Sequence, residues 1–261
     1  MARFLPLFSS SSANCCFVGM NGQGILVDAG ASGSAIIKAL NEKNIDLTEI
    51  KAVFVTHEHS DHIKGLSAFI KKTGLPVIAS ADTLTAIEKC CNLPSAAKLS
   101  EINGSFAVGD IEVTRFATSH DCVGSSGYCF NLPDGIKISV CTDLGIVTDE
   151  VRQSILGSRL VYLESNHDIK MLERGPYPPE LKLRILSDKG HLSNISCAAE
   201  LPRLLDNGTT YFVLAHLSQH NNLPSLAKST AVTTLSGAGA KQNEDYILTT
   251  AQVRNGDLFL L

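Results

Sequence analysis

The run His57-Glu58-His59-Ser60-Asp61-His62 puts three imidazoles and a carboxylate within one short turn of chain. Imidazole nitrogen and carboxylate oxygen are the donors that borderline divalent cations take. A turn of this length can send two histidines toward one ion and Asp61 with His62 toward another. Four side chains cannot fill two coordination shells, so the pattern predicts further ligands downstream. His120, Asp143 and His216 meet that demand. Each comes just after a largely apolar run: Phe116-Ala117-Thr118-Ser119, Val140-Cys141-Thr142 and Phe212-Val213-Leu214-Ala215. Loops beyond strand ends are where ligands from separate segments converge. For any one of these residues the bland alternative is a hydrogen-bonded histidine or a turn aspartate; the seven together predict a pair of divalent ions. Zinc suits the histidine-rich set, and the two carboxylates leave manganese or iron open. Two such ions would acidify a water for hydrolysis, with Asp61 also orienting or deprotonating it.

Positioning these groups requires strands that end where the ligands begin. Lys51-Ala52-Val53-Phe54-Val55-Thr56 is a continuous apolar run of the kind shown by a strand covered on both faces, and it delivers His57. Upstream, residues 16–18 and 24–27 flank Asn21-Gly22-Gln23 and predict a hairpin whose second strand ends at Asp28-Ala29-Gly30. Strands are expected over 76–79, 111–116, 128–132, 136–141, 160–163 and 211–214. Helices are expected over 34–43, 62–72, 82–90 with Asp82 as N-cap, 148–156, 194–205 and 224–235. Residues 178–188 suggest only two helical half-turns. Strands alternating with helices around an antiparallel middle predict an α/β fold of two sheets sandwiched between helices, in one domain spanning 1–261.

The 261 residues are 44% hydrophobic and 18% charged, enough apolar material for a sizeable core. A net charge of −4 argues against a protein that coats nucleic acid by bulk electrostatics, although bound cations would add local positive charge. The eight cysteines include the adjacent pairs Cys15-Cys16 and Cys90-Cys91 and show no CxxC spacing. The first residues hold too short an apolar stretch for a secretion signal, and no run is long enough to span a membrane. Reduced thiols and a cytoplasmic location are the expectation. Oligomeric state is not legible.

The motif His57 to His62, Asp28 after the second strand, and the later His120, Asp143 and His216 resemble the metallo-β-lactamase superfamily. That resemblance implies a four-layered αββα sandwich. It implies His57, His59 and His120 on one metal, Asp61, His62 and His216 on the other, Asp143 bridging, and Asp28 in a supporting role. Glu164, in Tyr162-Leu163-Glu164-Ser165-Asn166-His167-Asp168, and His191, in Asp188-Lys189-Gly190-His191-Leu192-Ser193, resemble the glutamate and Gly-His-Ser motif of phosphodiesterase members such as ribonuclease Z. There the acid orients the histidine, which assists the leaving group. Phosphodiester cleavage needs such a device because an alkoxide leaves badly unless protonated. For His191 the alternative is a helix-start histidine bonded to Ser193 or Asn194.

With Ile63-Lys64-Gly65 and Ala215-His216-Leu217-Ser218, these motifs resemble the YycJ/WalJ-like bacterial hydrolases, which implies DNA exonuclease activity on nucleic acid or another phosphodiester. One departure is Ser9-Ser10-Ser11-Ser12-Ala13-Asn14, where that group carries a glycine-bearing loop. His167, Ser193 and Asn194 are candidates to touch substrate. Lys170, Arg174, Lys182, Arg184 and Lys189 are interleaved with Glu173, Glu180 and Asp188; they read as a solvated face that could also grip a phosphate backbone. Two other functions compete: hydrolysis of a thioester or lactone on the same fold, and a non-catalytic metal-binding scaffold.

Overall fold

The computed structural model describes residues 1–261. Its strands are β1 (Arg3–Ser10), β2 (Ala13–Met20), β3 (Gln23–Val27), β4 (Ile50–Phe54), β5 (Val77–Ala79), β6 (Leu99–Glu101), β7 (Ser105–Val108), β8 (Ile111–Ala117), β9 (Ser126–Asn131), β10 (Lys137–Cys141), β11 (Leu160–Glu164), β12 (Tyr211–Ala215), β13 (Ile247–Thr250) and β14 (Phe259–Leu260). They form two seven-stranded sheets, ordered β14-β1-β2-β3-β4-β5-β6 and β13-β12-β11-β10-β9-β8-β7. Both sheets are mixed and helices flank them, as the αββα expectation requires. The chain divides into two compact units: Met1–Arg115 with Cys122–Ile136 and Gln252–Leu261, and Phe116–Asp121 with Lys137–Ala251.

In the first unit β1, β2 and β3 are antiparallel, while β3 to β6 run parallel. Parallel strands end on the same edge, so Asp28 after β3 and His57 after β4 are brought side by side. The helices are α1 (Gly33–Glu42), α2 (Ser60–Ile63), α3 (Leu66–Thr73) and α4 (Ala81–Cys90). Ile36 and Leu40 of α1 and Phe69 of α3 pack with Phe17, Leu26 and Val53 in the core, as helical spacing in 34–43 predicted.

Two expectations need correction here, and one N-terminal strand was not foreseen. The segment 62–72 is two helices, because Gly65 sits in the joint. Its N–H donates to Ala29 O at 2.8 Å, and a Cβ on it would lie 1.7 Å from Ala31 O. The N-cap of α4 is Ser80, which accepts from Thr83 N at 3.2 Å, and Asp82 lies in the first turn. The N-terminal residues, read only for their lack of a secretion signal, form β1, whose register shifts between Pro6 and Phe8. Pro6 has no N–H to give the ladder.

The second unit is built on β10 to β13, all parallel, with Cys141 opposite Leu163 and Glu164 opposite Ala215. Its helices are α5 (Asp149–Ile155), α6 (Ile169–Arg174), α7 (Pro179–Leu186), α8 (Asn194–Asp206) and α9 (Pro224–Gly237). Residues 178–188 are thus one continuous helix with Pro179 at its first position, where a missing N–H costs nothing. Helix α6 and strands β6, β7, β13 and β14 are too short to leave a periodic signal. No helix is long and apolar enough to cross a membrane.

The joint at Gly65 gives a stability test. Gly65→Ala should cost about 3 kcal/mol, the upper end of overpacking. At Gly74 φ is 66° and nothing lies within 4 Å, so Gly74→Ala should cost only about 1 kcal/mol, the left-handed penalty. Urea midpoints of the two variants measure the difference; equal losses would contradict the close approach.

Candidate metal centre

Each unit carries its own cluster, or half-site, of candidate ligands. In the first, Asp28 is 3% exposed and organises the histidine motif. Its carboxylate accepts from Thr56 N at 2.8 Å, from the Thr56 hydroxyl at 2.9 Å, and lies 2.7 Å from His62 Nδ1. Because the Thr56 hydrogen goes to Asp28, its oxygen accepts from His57 Nδ1 at 3.0 Å. One carboxylate therefore fixes the tautomer of His62 directly and that of His57 through a hydroxyl, turning both Nε2 lone pairs outward. That is the usual arrangement behind metal-binding imidazoles. Burial pushes the Asp28 carboxyl up in pKa, with His62 and Thr56 pulling against it.

Around that frame the rings of His57 and His59 stand 4.6 Å apart and those of His57 and His62 4.1 Å apart. His59 holds the N-cap position of α2 without spending its side chain on the cap. Asp61 Oδ2 lies 3.4 Å from His62 Nε2 and accepts from Asn14 Nδ2 at 3.0 Å. Sequence reasoning missed Asn14, which looked like the end of a serine loop. Gly30 makes a close backbone approach beside it: its N–H donates to Asn14 O at 2.9 Å, and a Cβ there would lie 1.6 Å from Asp61 O. Glu58 was assigned no role; it accepts from Val123 N at 3.0 Å and so ties the motif to the loop before β9.

In the second unit the hub is Glu164, which is fully buried. Its Oε1 lies 2.8 Å from both His191 Nδ1 and His216 Nδ1, and its Oε2 accepts from Leu144 N at 3.0 Å and Leu192 N at 3.3 Å. The expected Glu164–His191 pair is therefore present, and the alternative in which His191 bonds Ser193 or Asn194 is not what its ring does. Beyond that expectation, the same carboxylate orients His216. Burial alone would raise the Glu164 pKa. The charges and hydrogen bonds of His191 and His216 outweigh it and hold the group well below the ordinary carboxylate range.

His120 uses Nδ1 on Gly190 O at 3.0 Å, which leaves its Nε2 3.8 Å from Asp143 Oδ1. His216 Nε2 is 3.7 Å and His191 Nδ1 3.8 Å from the same oxygen. These spacings exceed hydrogen-bonding reach and approach the edge of a tetrahedron with metal bonds of about 2.1 Å. The ligand atoms of Asp143, Glu164, His191 and His216 all lie within 4.8 Å of one another. Asp143 Oδ1 with the Nε2 atoms of His120 and His216 thus offers donors whose type, tautomer and spacing fit a divalent cation, and the first unit supplies imidazole and carboxylate donors of the same type.

Backbone conformation marks the same residues. Asp28, Asp143 and His216 have φ of 63°, 58° and 53°, a left-handed conformation that costs roughly 1–3 kcal/mol at each. Hydrogen bonds hold them there, for example Asp28 N to Phe54 O at 2.7 Å and Asn166 Nδ2 to His216 O at 2.9 Å.

The three substrate candidates are buried. Ser193 Oγ caps α8 by accepting from Ser196 N, and Asn194 is engaged with Ser165 and Asn222. Both side chains are spent on structure. His167 is 1% exposed and neither ring nitrogen has a hydrogen-bond partner. No disulfide joins any of the eight cysteines, five of which are buried.

Two measurements follow from these environments. Replacing Glu164 by Gln removes the acceptor shared by two imidazoles, so metal affinity and turnover should each fall about 10- to 100-fold; metal titration with unchanged affinity would refute the hub. Burial, ahead of the opposing field of Glu164, holds His167 at a pKa of about 4. An unfolded histidine titrates near 6.5, so His167 contributes stability above that pH which is lost as pH falls toward 4. Wild-type protein should lose up to about 3 kcal/mol more than His167→Leu between pH 7 and 4, measured by urea unfolding.

Comparison with known proteins agrees with this geometry. Residues 23–216 match the Beta-lactamase superfamily domain. Exodeoxyribonuclease YycJ of Bacillus anthracis is 37% identical over 246 residues, 94% of this chain and 93% of that protein. Exodeoxyribonuclease WalJ of Streptococcus pneumoniae strain D39 is 36% identical over 248 residues, covering 94% and 92%. Among solved structures, unliganded yeast PDE1 shares the fold, with a TM-score of 0.75 at 14% identity over 99% of both chains. Membership implies divalent metal ions, and the donor set fits them. The chain belongs to the metallo-β-lactamase superfamily, among its YycJ/WalJ-like members.

Proposed function

We propose that this protein is a dinuclear metal-dependent phosphodiesterase that degrades nucleic acid, with DNA as the first substrate to test. The observation that carries the reading is the Glu164–His191 pair. It adds to the metal ligands a titratable imidazole that is 15% exposed in its side chain, while Glu164, Asp143 and His216 beside it are at 2% or less. A thioester hydrolase expels a thiolate, which needs little help, whereas an alkoxide leaving phosphorus needs a proton. The relatives named exodeoxyribonuclease support DNA.

In this reading His57, His59 and His120 would hold one ion and Asp61, His62 and His216 the other, with Asp143 as a further ligand. Zinc is the first metal to try, then manganese. When bound, the ions supply Lewis acidity toward a phosphoryl oxygen and a water. The protein's own residues do the rest. Asp61, held by Asn14, orients the attacking water and takes up its proton. Glu164 accepts from His191 Nδ1 and fixes the ring, so Nε2 is the nitrogen that delivers a proton to the departing oxygen.

The test is metal content and nuclease activity measured together. Protein reconstituted separately with zinc and manganese should degrade labelled single- or double-stranded DNA. His59→Ala and Asp61→Ala should lose at least one ion per chain and more than about a hundredfold in rate, beyond what losing a supporting group costs. A fully active, metal-free Asp61→Ala protein would sink the mechanism. Activity confined to thioesters or lactones would overturn the substrate class, and metal bound with no hydrolysis of any ester would point to a scaffold.

A further inference from the structure

Arg184 stands at the rim of the second half-site in a position that no part of the proposed chemistry uses. Its Nε and Nη2 reach both oxygens of Asp121, the residue after His120, in a fork-to-fork pair with Nη2 to Oδ1 at 2.9 Å. That same Oδ1 lies 3.5 Å from His120 Nε2. The guanidinium is therefore two short contacts from the nitrogen that His120 turns toward Asp143.

The backbone that carries Arg184 is tied to the site. Ile185 O accepts from His191 N at 3.0 Å, and a Cβ on Gly190 would lie 2.3 Å from Arg184 O and 2.2 Å from Ile185 O. Ser119 Oγ donates to Asp188 O, and Gly145 is pressed against the Asp188 backbone. The end of α7 is thus laced to the loops bearing His120, Asp143 and His191.

The side chains at this rim are open, however: 47% exposed for Arg184 and 30% for Asp121, against 1% for His120. An ion pair this exposed contributes roughly 0–1 kcal/mol to stability. Pinning α7 is a poor account of it, since the backbone contacts already do so. Exchanging Asp121 for another bidentate anion costs correspondingly little. A planar fork of donors matches a phosphate as well as it matches a carboxylate, and in lysine that geometry is lost.

We propose that Arg184 is a phosphate anchor: parked on Asp121, it moves to a non-scissile phosphate of the bound strand and sets the reach between that phosphate and the cleaved bond. The inference rests on the nucleic-acid reading above. It gives one cation among the mixed charges of 170–189 a specific task. Lys182, by contrast, spends its ammonium on Glu173 O at 2.8 Å. The phosphate gripped is either internal or the terminal phosphate of the strand; the chemistry is the same and the substrates below tell them apart.

The experiment compares metal-loaded wild type, Arg184→Met and Arg184→Lys on oligonucleotides with a 5′-phosphate or a 5′-hydroxyl, and on bis(p-nitrophenyl) phosphate, which has no second phosphate. Arg184→Met should raise KM for the oligonucleotide about tenfold with a much smaller change in kcat. It should also reduce the dependence of log(kcat/KM) on log salt by about one unit. Arg184→Lys should restore the salt slope and leave KM raised. The loss on the small diester should be several-fold smaller than on DNA. A KM effect limited to 5′-phosphorylated strands identifies the terminal phosphate, and one seen on both identifies an internal phosphate. Unchanged KM and salt slope, with or without a lowered melting temperature, would make Arg184 a structural pin and overturn the anchor alone. Wild-type protein that hydrolyses the small diester but no nucleic acid would overturn the function together with the anchor.

Discussion

Glu164 is the constraint on which the second half-site depends. A fully buried carboxylate is expensive unless its lone pairs are filled, and here two imidazole N–H groups and two backbone N–H groups fill them. Those donors come from three chain segments. The shared requirement to satisfy one charge draws the β10 loop, the β12 loop and the segment before α8 to the end of β11. The parallel register makes this possible: Glu164 pairs with Ala215, so the residue after Ala215 is His216, and Leu163 pairs with Cys141, two residues before Asp143. A slip of one residue along β11 would turn the carboxylate to the opposite face and scatter the whole set.

The first half-site solves the same problem with the same means. Asp28 ends β3 as Glu164 ends β11, and Val27 pairs with Phe54 so that Thr56 and His57 emerge alongside. In both halves a buried acid at the carboxyl end of a parallel strand accepts from Nδ1 of a histidine in the segment that follows the neighbouring strand. The ends of parallel strands are where open backbone groups and convergent loops make binding sites in α/β folds. What differs is exposure: Asp28 supports imidazoles through Thr56 and His62 and faces nothing else, whereas Glu164 also supports His191, which is partly open. That extra imidazole, held by the acid and partly open, is what the second half-site has and the first lacks.

Much of this was legible in the sequence because ligands and strands announce themselves by different signals that coincide in place. The apolar run 51–56 gives a strand, and the motif that begins at His57 gives a turn. The same pairing recurs before Asp143 and His216. The supporting residues were less legible. Asn14 reaches Asp61 across 47 residues of sequence, and a serine-rich segment carries no sign of it. Thr56 looked like the last residue of a strand, yet its hydroxyl relays Asp28 to His57. The second role of Glu164 was hidden because a single acid can satisfy two histidines only if the fold brings both to one oxygen. The burial of Ser193 and Asn194 was hidden as well, because a sequence shows polarity but not burial. Element boundaries failed for a related reason: Gly65 breaks 62–72 through a close approach to Ala31 and Ala29, a tertiary contact that helical periodicity cannot register.

The left-handed residues give the remaining step. Asp28, Asp143 and His216 each leave a strand by a backbone turn that β-region φ/ψ does not allow, and aspartate and histidine tolerate it better than branched residues do. The turn is what points a side chain back over the strand end instead of out along it, so the strain is the geometric condition for convergence. It persists because the neighbouring hydrogen bonds fix the loops on both sides: Ala29 N to His62 O at 2.8 Å after Asp28, Gly145 N to Ser119 O at 2.8 Å after Asp143, and Ser218 N to Asn166 O at 2.8 Å after His216. Each of these bonds joins a strained loop to another loop of the site. The strain in one ligand is thereby held by the placement of the next, so the ligands within a half-site are oriented as a set. A set oriented by protein hydrogen bonds alone has its tautomers and lone pairs directed before any cation arrives. That is the property a hydrolytic centre needs if its ions are to bind at one geometry.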